Sequence, residues 1–150
     1  MSASFVPADF DPPRSLRHEQ FTLEPLGPQH NESDLHAWSS SIAHVRSTAG
    51  YPDGRWPPEE GMSPEENLAD LTRHAADFEE RRGFTFTVLV PGTSEVIGCV
   101  YLYPASGDHD VDVQSWVRSD VAELDGVLAD AVAAWLESDW PWSRPDRHGR

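Results

Sequence analysis

One stretch limits the possible folds more than any other. Residues 110–136 read DVDVQSWVRSDVAELDGVLADAVAAWL. The first part alternates, with Val111, Val113, Ser115 and Val117 on one side and Asp112, Gln114, Trp116 and Arg118 on the other, which is the period of a strand. The pattern then changes. Val121, Leu124, Leu128, Ala131 and Trp135 recur at steps of three and four, the stripe of an amphipathic helix. Asp120 followed by Glu123 has the spacing of a capping box at its start. A strand therefore feeds directly into a helix. The free N–H groups and positive dipole end of that helix lie beside the strand's C-terminal end, a place suited to an anion.

The rest of the chain supplies partners for this unit. Residues 1–20 are polar and Pro-rich, with Phe5, Phe10 and Leu16 scattered through them, and are expected to form an extended arm ahead of a single domain over 21–150. Residues 20–26 form a short strand that Pro25 ends or places at an edge. A helix follows, capped by Ser33 or Asp34, with Leu35, Trp38, Ile42 and Val45 on its buried side. Residues 47–62 carry turn signals without periodicity. This loop, with Tyr51, Arg55 and Trp56, has two readings: a lid or binding loop, or a loop pinned to the core by Trp56. Ser63, Pro64 and Glu66 open a second helix with the stripe Leu68, Leu71, Ala75 and Phe78, which Gly83 ends. A hairpin follows, turning at residues 91–94. In its second strand Val96, Val100 and Leu102 face one way and Ile97, Cys99 and Tyr101 the other, so this strand is covered on both sides. The tail has room for one more strand, around residues 140–143. The order is β α α β β β α β, a three-layer α/β domain with a mixed, mostly antiparallel sheet flanked by helices.

Charge narrows the partners. The chain has 26 acidic and 11 basic residues, all of the latter Arg, for a net charge of −15. Such a field repels phosphate backbones and anionic lipid, so neither nucleic acid nor a membrane surface is an expected partner, whereas an amine or basic peptide is. Solubility alone also accounts for the excess. Cys99 is the single cysteine, so no intrachain disulfide forms. The N-terminus lacks the pattern of a secretory signal. The longest nearly apolar run, 96–103, is far short of the ~20 residues of a membrane helix. The expected location is cytoplasmic. The seven His show no metal-ligand spacing, so no metal is expected. No nucleophile elbow, Walker loop or dinucleotide fingerprint is present.

This element order resembles the GNAT superfamily of acyl-CoA N-acyltransferases, in particular the branch of ribosomal-protein-alanine acetyltransferases. FTLEPLGPQHNESDL resembles that branch's first strand and helix, with Glu24 where Arg is usual. FTVLVPGTSEVIGCVYL resembles its second and third strands, with Ile97-Gly98 in the typical place. DVQSWVRSD resembles its fourth, with Asp112 where an acidic residue is frequent. The likeness covers residues 20–142. Two departures stand out. Where the family carries Arg/Gln-x-x-Gly-x-Gly/Ala, whose glycines let backbone N–H groups wrap the CoA pyrophosphate, this chain reads VAELDG. Only Gly126 remains, and Asp120, Glu123 and Asp125 put carboxylates there. The chain also ends near the fifth strand, so the C-terminal part of the fold is shortened.

The resemblance implies acetyl-CoA as acyl donor and a small-molecule amine or peptide N-terminus as acceptor. It makes Asp112 the base, with Tyr101 and Tyr103 as candidate acids. It gives the backbone of Trp116, Val117 and Arg118 the task of polarising the thioester carbonyl where a bulge splays the strand. Arg118 and Gly126 become contacts for CoA, and Tyr51, Arg55 and Trp56 contacts for the amine. Each residue also has a structural reading: Asp112 as a solvated strand carboxylate, Arg118 as partner of Asp120 or Glu123, the tyrosines as core and rim. Two functions follow. One is N-acyl transfer from acyl-CoA to an amine. The other is a catalytically degenerate relative that binds a cationic small molecule or protein partner without acyl transfer. An open sheet edge would make a homodimer plausible.

Overall fold

Every predicted helix and strand type forms, and the sheet is mixed in the expected way. The computed structural model describes residues 5–51 and 56–149. In chain order the elements are β1 (Leu16–Arg17), β2 (Thr22–Pro25), a 3₁₀ turn (Pro28–His30), α1 (Asn31–Ser39), α2 (Ile42–Arg46), α3 (Pro64–Glu79), β3 (Phe84–Leu89), β4 (Val96–Tyr103), β5 (Val111–Val117), a second 3₁₀ turn (Ser119–Val121), α4 (Leu124–Asp139) and β6 (Pro145–Asp146). The six strands lie in the order of the chain. All neighbours are antiparallel except β5 and β6, which run parallel. The arm supplies β1, and its Val6 is buried.

The sheet separates two cores. On one face Phe84, Phe86, Val100, Leu102 and Val117 meet Leu128, Val132 and Trp135 of α4, together with Trp140 and Trp142. Phe86 meets the edges of Trp135 and Phe78, and Trp140 stacks on Trp142. On the other face Val96, Cys99 and Trp116 meet Ala37, Trp38, Val45 and Leu71. Burying each such side chain stabilises the fold by roughly 1.5–3 kcal/mol.

The start of α3 forms as its sequence dictates. The Ser63 hydroxyl accepts from the Glu66 N–H at 3.1 Å, and the Glu66 carboxylate accepts from the Ser63 N–H at 2.9 Å.

Five local expectations are corrected. The first helix begins earlier, on a 3₁₀ turn capped by His30, and breaks at residues 40–41. Helix α3 ends at Glu79, and the left-handed residue after it is Arg81 (φ 63°), not Gly83. Gly83 serves a different need: a Cβ there would lie 2.2 Å from the Tyr103 ring. Val96 and Ile97 exchange faces, because Val88 and Leu89 pair with Gly98 and Val96, leaving Ile97 as an extra bulged residue. Asp120 and Glu123 make no capping box, since the Asp120 carboxylate takes the Arg118 guanidinium instead. The tail strand is 145–146, paired with Val111 and Asp112, because Trp140 and Trp142 go to the core.

Candidate functional site

A cavity of about 300 Å³ opens on the α1–α3 side of the sheet. It is lined by Gly50, Tyr51 and Trp56 from the 47–62 loop, Asp70, Arg73 and His74 from α3, Tyr101 from β4 and Gln114 from β5. The loop is held at several points. The Arg46 Nε–H donates to the Pro57 carbonyl at 2.7 Å, and Gln114 donates to the Gly50 carbonyl at 2.8 Å. Trp56 packs within about 6.4 Å of Trp38, Tyr51, Tyr101 and Trp116, measured between ring centroids. The loop is pinned to the core as one of its two readings has it, and the Trp56 ring that anchors it also walls the cavity. Arg55 lies outside the described residues.

Behind the cavity a polar network runs through the protein. The Tyr103 hydroxyl donates to Asp77 Oδ2 at 2.8 Å and lies 2.8 Å from His74 Nδ1. Thr85 Oγ1 is 3.0 Å from the same nitrogen. Arg82 donates to Asp77 Oδ1 at 2.8 Å. Burial would raise the Asp77 pKa, but the hydrogen bonds from Tyr103 and Arg82 outweigh it and hold this carboxyl below its ordinary value. Asp70 behaves alike: burial opposes ionisation, while His74 and Arg73 overcome it. Further inside, Asn67 donates to Asp34 Oδ2 at 3.1 Å and accepts from the Trp38 indole at 3.1 Å. Burial, before any other cause, raises the Asp34 pKa to about 6.

Residues 67, 71, 74 and 78 form the buried stripe of α3, whereas Leu68 is exposed. A stripe read from apolar letters alone misses Asn67 and His74. Their spacing of 0, 4, 7 and 11 with Leu71 and Phe78 is the signal that reveals them.

The acidic and aromatic candidates divide. Tyr101 faces the cavity and accepts from the Trp116 indole at 3.1 Å, and burial pushes its pKa well above the usual value. Tyr103 stands one layer back, its pKa also raised by burial. Asp112 sits at the start of β5, off the cavity lining, with its carboxylate 2.5 Å from His148 Nε2.

The edge of β5 carries the backbone groups of interest. Arg118 N–H donates to the Ile97 carbonyl at 2.9 Å. With the β4–β5 register, hydrogen bonding alternates, so Asp112, Gln114 and Trp116 turn their backbone groups to β4. Val113, Ser115 and Val117 turn theirs the other way. There β6 reaches only Val111 and Asp112, so among the described residues no strand pairs with 113–117 on that side. The β4–β5 register is regular, and the opening comes from the shortness of β6 rather than from a bulge. Val117 N–H thus points away from β4, while Arg118 N–H is taken, and Ser115 and Val117 are themselves buried. The Trp116 side chain is fully buried. Its carbonyl approaches β4 so closely that a Cβ on Gly98 would lie 2.5 Å from the oxygen.

The strand–helix junction fits a phosphate less well. The Arg118 guanidinium donates to both Asp120 oxygens at 2.9 Å and pairs with Glu95 at 3.0 Å. Ser119 N–H donates to Ser41 Oγ at 2.9 Å, and Val121 N–H to the Arg118 carbonyl at 3.0 Å. Gly126 lies exposed inside α4, where a Cβ would meet no atom. An anion at this junction would meet groups that already have partners.

Comparison with known proteins follows the same lines. The family model described as acetyltransferase (GNAT) domain matches residues 20–144. A structure described as a probable acetyltransferase superposes with a TM-score of 0.64 at 14% identity, over 87% of this chain and 71% of that one. Ribosomal-protein-S5-alanine acetyltransferase from Vibrio fischeri gives 0.59 at 16% identity, over 81% and 66%. A ribosomal L7/L12 alpha-N-protein acetyltransferase, solved in complex with coenzyme A, gives 0.59 at 10% identity, over 81% and 67%. The chain thus spans just under two thirds of the Vibrio fischeri protein, and identities this low bear on the fold alone. No curated protein sequence matches the chain. Among the described residues no helix is long and apolar enough to cross a membrane.

Proposed function

The chain belongs to the acetyltransferase (GNAT) family, and from that premise we propose that it transfers an acyl group from acyl-CoA to the nitrogen of an amine held in the aromatic cavity. One observation carries this reading: the cavity borders β5 at Gln114, on the strand along whose 113–117 edge no further strand pairs among the described residues. An acyl donor that displaces what covers that edge gains hydrogen bonds from the strand, in which Val117 N–H turns away from β4 and serves to polarise the thioester carbonyl. Holding amine and thioester side by side supplies the proximity that makes direct attack fast. Tyr51, Trp56 and Tyr101 give the amine flat apolar walls, and the carboxylate of Asp70 and the protein's net charge of −15 favour its ammonium form. Tyr101, held protonated by burial, donates a hydrogen bond to the departing sulfur rather than a full proton. A small-molecule amine and a peptide N-terminus both have this chemistry.

Calorimetry with acetyl-CoA, followed by amine-dependent release of CoA thiol across a panel of amines, tests the proposal. Micromolar binding with turnover of at least one amine is expected. The second reading, a non-catalytic relative that holds a cationic ligand, is favoured by the committed Arg118 and the carboxylates at the junction. It predicts amine binding to the cavity with no acetyl-CoA binding up to millimolar concentration.

A further inference from the structure

We propose that His74 is the proton acceptor of this site, fixed in the reactive tautomer by Tyr103, Thr85 and Asp77. The proposal rests on reading the cavity as an amine site and goes beyond it by naming the base. It turns on counting hydrogens.

Tyr103 has one hydroxyl hydrogen, which it donates to Asp77 Oδ2 at 2.8 Å. Asp77 is ionised, held so by Tyr103 and Arg82, and has no proton to give back. The Tyr103 oxygen therefore turns a lone pair toward His74 Nδ1, also 2.8 Å away. Two lone pairs at that distance repel, so Nδ1 carries the hydrogen and donates it. Thr85 Oγ1, at 3.0 Å, shares the same donor. In neutral imidazole only one nitrogen bears hydrogen, so Nε2 presents a lone pair. Nε2 is 3.6 Å from Asp70 Oδ2, an ion-pair separation once His74 is protonated, and His74 and Asp70 both line the cavity.

The arrangement is that of a base held by a buried acceptor. The groups facing His74 are Asp70, Arg73 and Asp77 from α3, Tyr101 and Tyr103 from β4, Thr85 from β3, and Asp34 from α1. Ahead of attack, one ammonium N–H bond breaks, its electron pair stays on nitrogen, and the proton bonds to Nε2. The resulting imidazolium faces the Asp70 carboxylate, while Nδ1–H still donates to Tyr103. The amine pair then forms the N–C bond and the C–S bond breaks, leaving thiolate. The acylated nitrogen's surplus proton passes to the thiolate, and the proton on Nε2 leaves to water through the cavity mouth. Tyr103, Thr85 and Asp77 are positioning residues in this account, since they act only through His74.

Two readouts on the full chain test the assignment. Long-range ¹H–¹⁵N spectra of labelled protein at pH 8, with His74→Asn to assign the signals, are expected to show His74 with hydrogen on Nδ1. Tyr103→Phe should move it toward the Nε2–H form. In the acetyl-CoA and amine assay, His74→Asn should lower kcat about 100-fold or more with KM for the amine within about threefold. His74→Ala should regain part of its rate from added imidazole, which a merely structural role would not give. An Nε2–H form in the wild type, or wild-type kcat in a folded His74→Asn, overturns the assignment while leaving acyl transfer standing. Failure of the wild type to bind acetyl-CoA or release thiol with any amine overturns the acyl-transfer reading and this assignment with it.

Discussion

The two faces of the sheet are built on opposite principles. The α4 face is a dense aromatic core of Phe84, Phe86, Trp135, Trp140 and Trp142. The α1–α3 face buries Asp34, Asn67, His74, Asp77 and Thr85 among its apolar residues and leaves a cavity in their midst. Burying polar groups is unfavourable unless each finds a partner. Both faces carry rings, but only the α1–α3 face sets its rings, Trp38, Trp56, Tyr101 and Trp116, beside a buried hydrogen-bonded network, the kind of surrounding in which functional groups are found.

The largest test of that contrast is on the apolar side. Trp135→Ala should lower the stability by about 3–5 kcal/mol in urea unfolding, and a loss under 1 kcal/mol would break the comparison. Next comes pH. Asp34 has a native pKa of about 6 against an ordinary 3.8, so between those values the native state holds its proton more tightly than the unfolded chain. Raising pH through that window therefore destabilises the fold, by about 3 kcal/mol in all. The stability difference between wild type and Asp34→Asn, measured from pH 3.5 to 7, should change by that order, with the wild type losing ground as pH rises. Asn67→Leu should cost about 2 kcal/mol, because Asp34 and the Trp38 indole each lose a buried partner. At the strand–helix junction, Asp120→Asn removes one of the two carboxylates that hold Arg118, Glu95 being the other, and takes a like charge from the path of a phosphate. Acetyl-CoA affinity should rise about 3–10-fold at low salt and less at high salt. The smallest effect belongs to Gly126→Ala, expected to add about 0.5–1 kcal/mol through helix propensity, with acetyl-CoA binding unchanged. Weakened binding would instead make Gly126 a cofactor contact.

Local patterns were readable wherever their determinants are close in sequence. The alternation at 111–117, the stripe of α4 and the Ser63–Glu66 box each lie within a few residues, and each forms. The errors came where a distant partner intervened. The Ile97 bulge follows from pairing with β3, so the faces of Val96 and Ile97 could not be told from β4 alone. Asp120 is the local exception, where Arg118, two residues away, competes with the helix end for its carboxylate. Asp112 meets His148 from the far end of the chain, and Tyr103 meets His74 across 29 positions. Tyr51 and Trp56, named from the 47–62 loop, and Tyr101, named as a candidate acid, line one cavity, while Asp112 stands outside it. His74 escaped notice because the α3 stripe was read from apolar letters alone, and Asp70, Arg73 and Gln114 because nothing in their own neighbourhoods distinguishes them from ordinary helix or strand polar residues.

By itself, then, the order of residues determined the element types, the mixed sheet with a strand running into a helix, and the likeness to one family. Periodicity and capping act over three or four residues and need no tertiary information. Only the tertiary structure decided which side chains share the cavity, how far β6 pairs along β5, and which groups surround His74. Each of those depends on contacts between residues far apart in the chain, and the energy of a buried polar group is set by the partner it meets there.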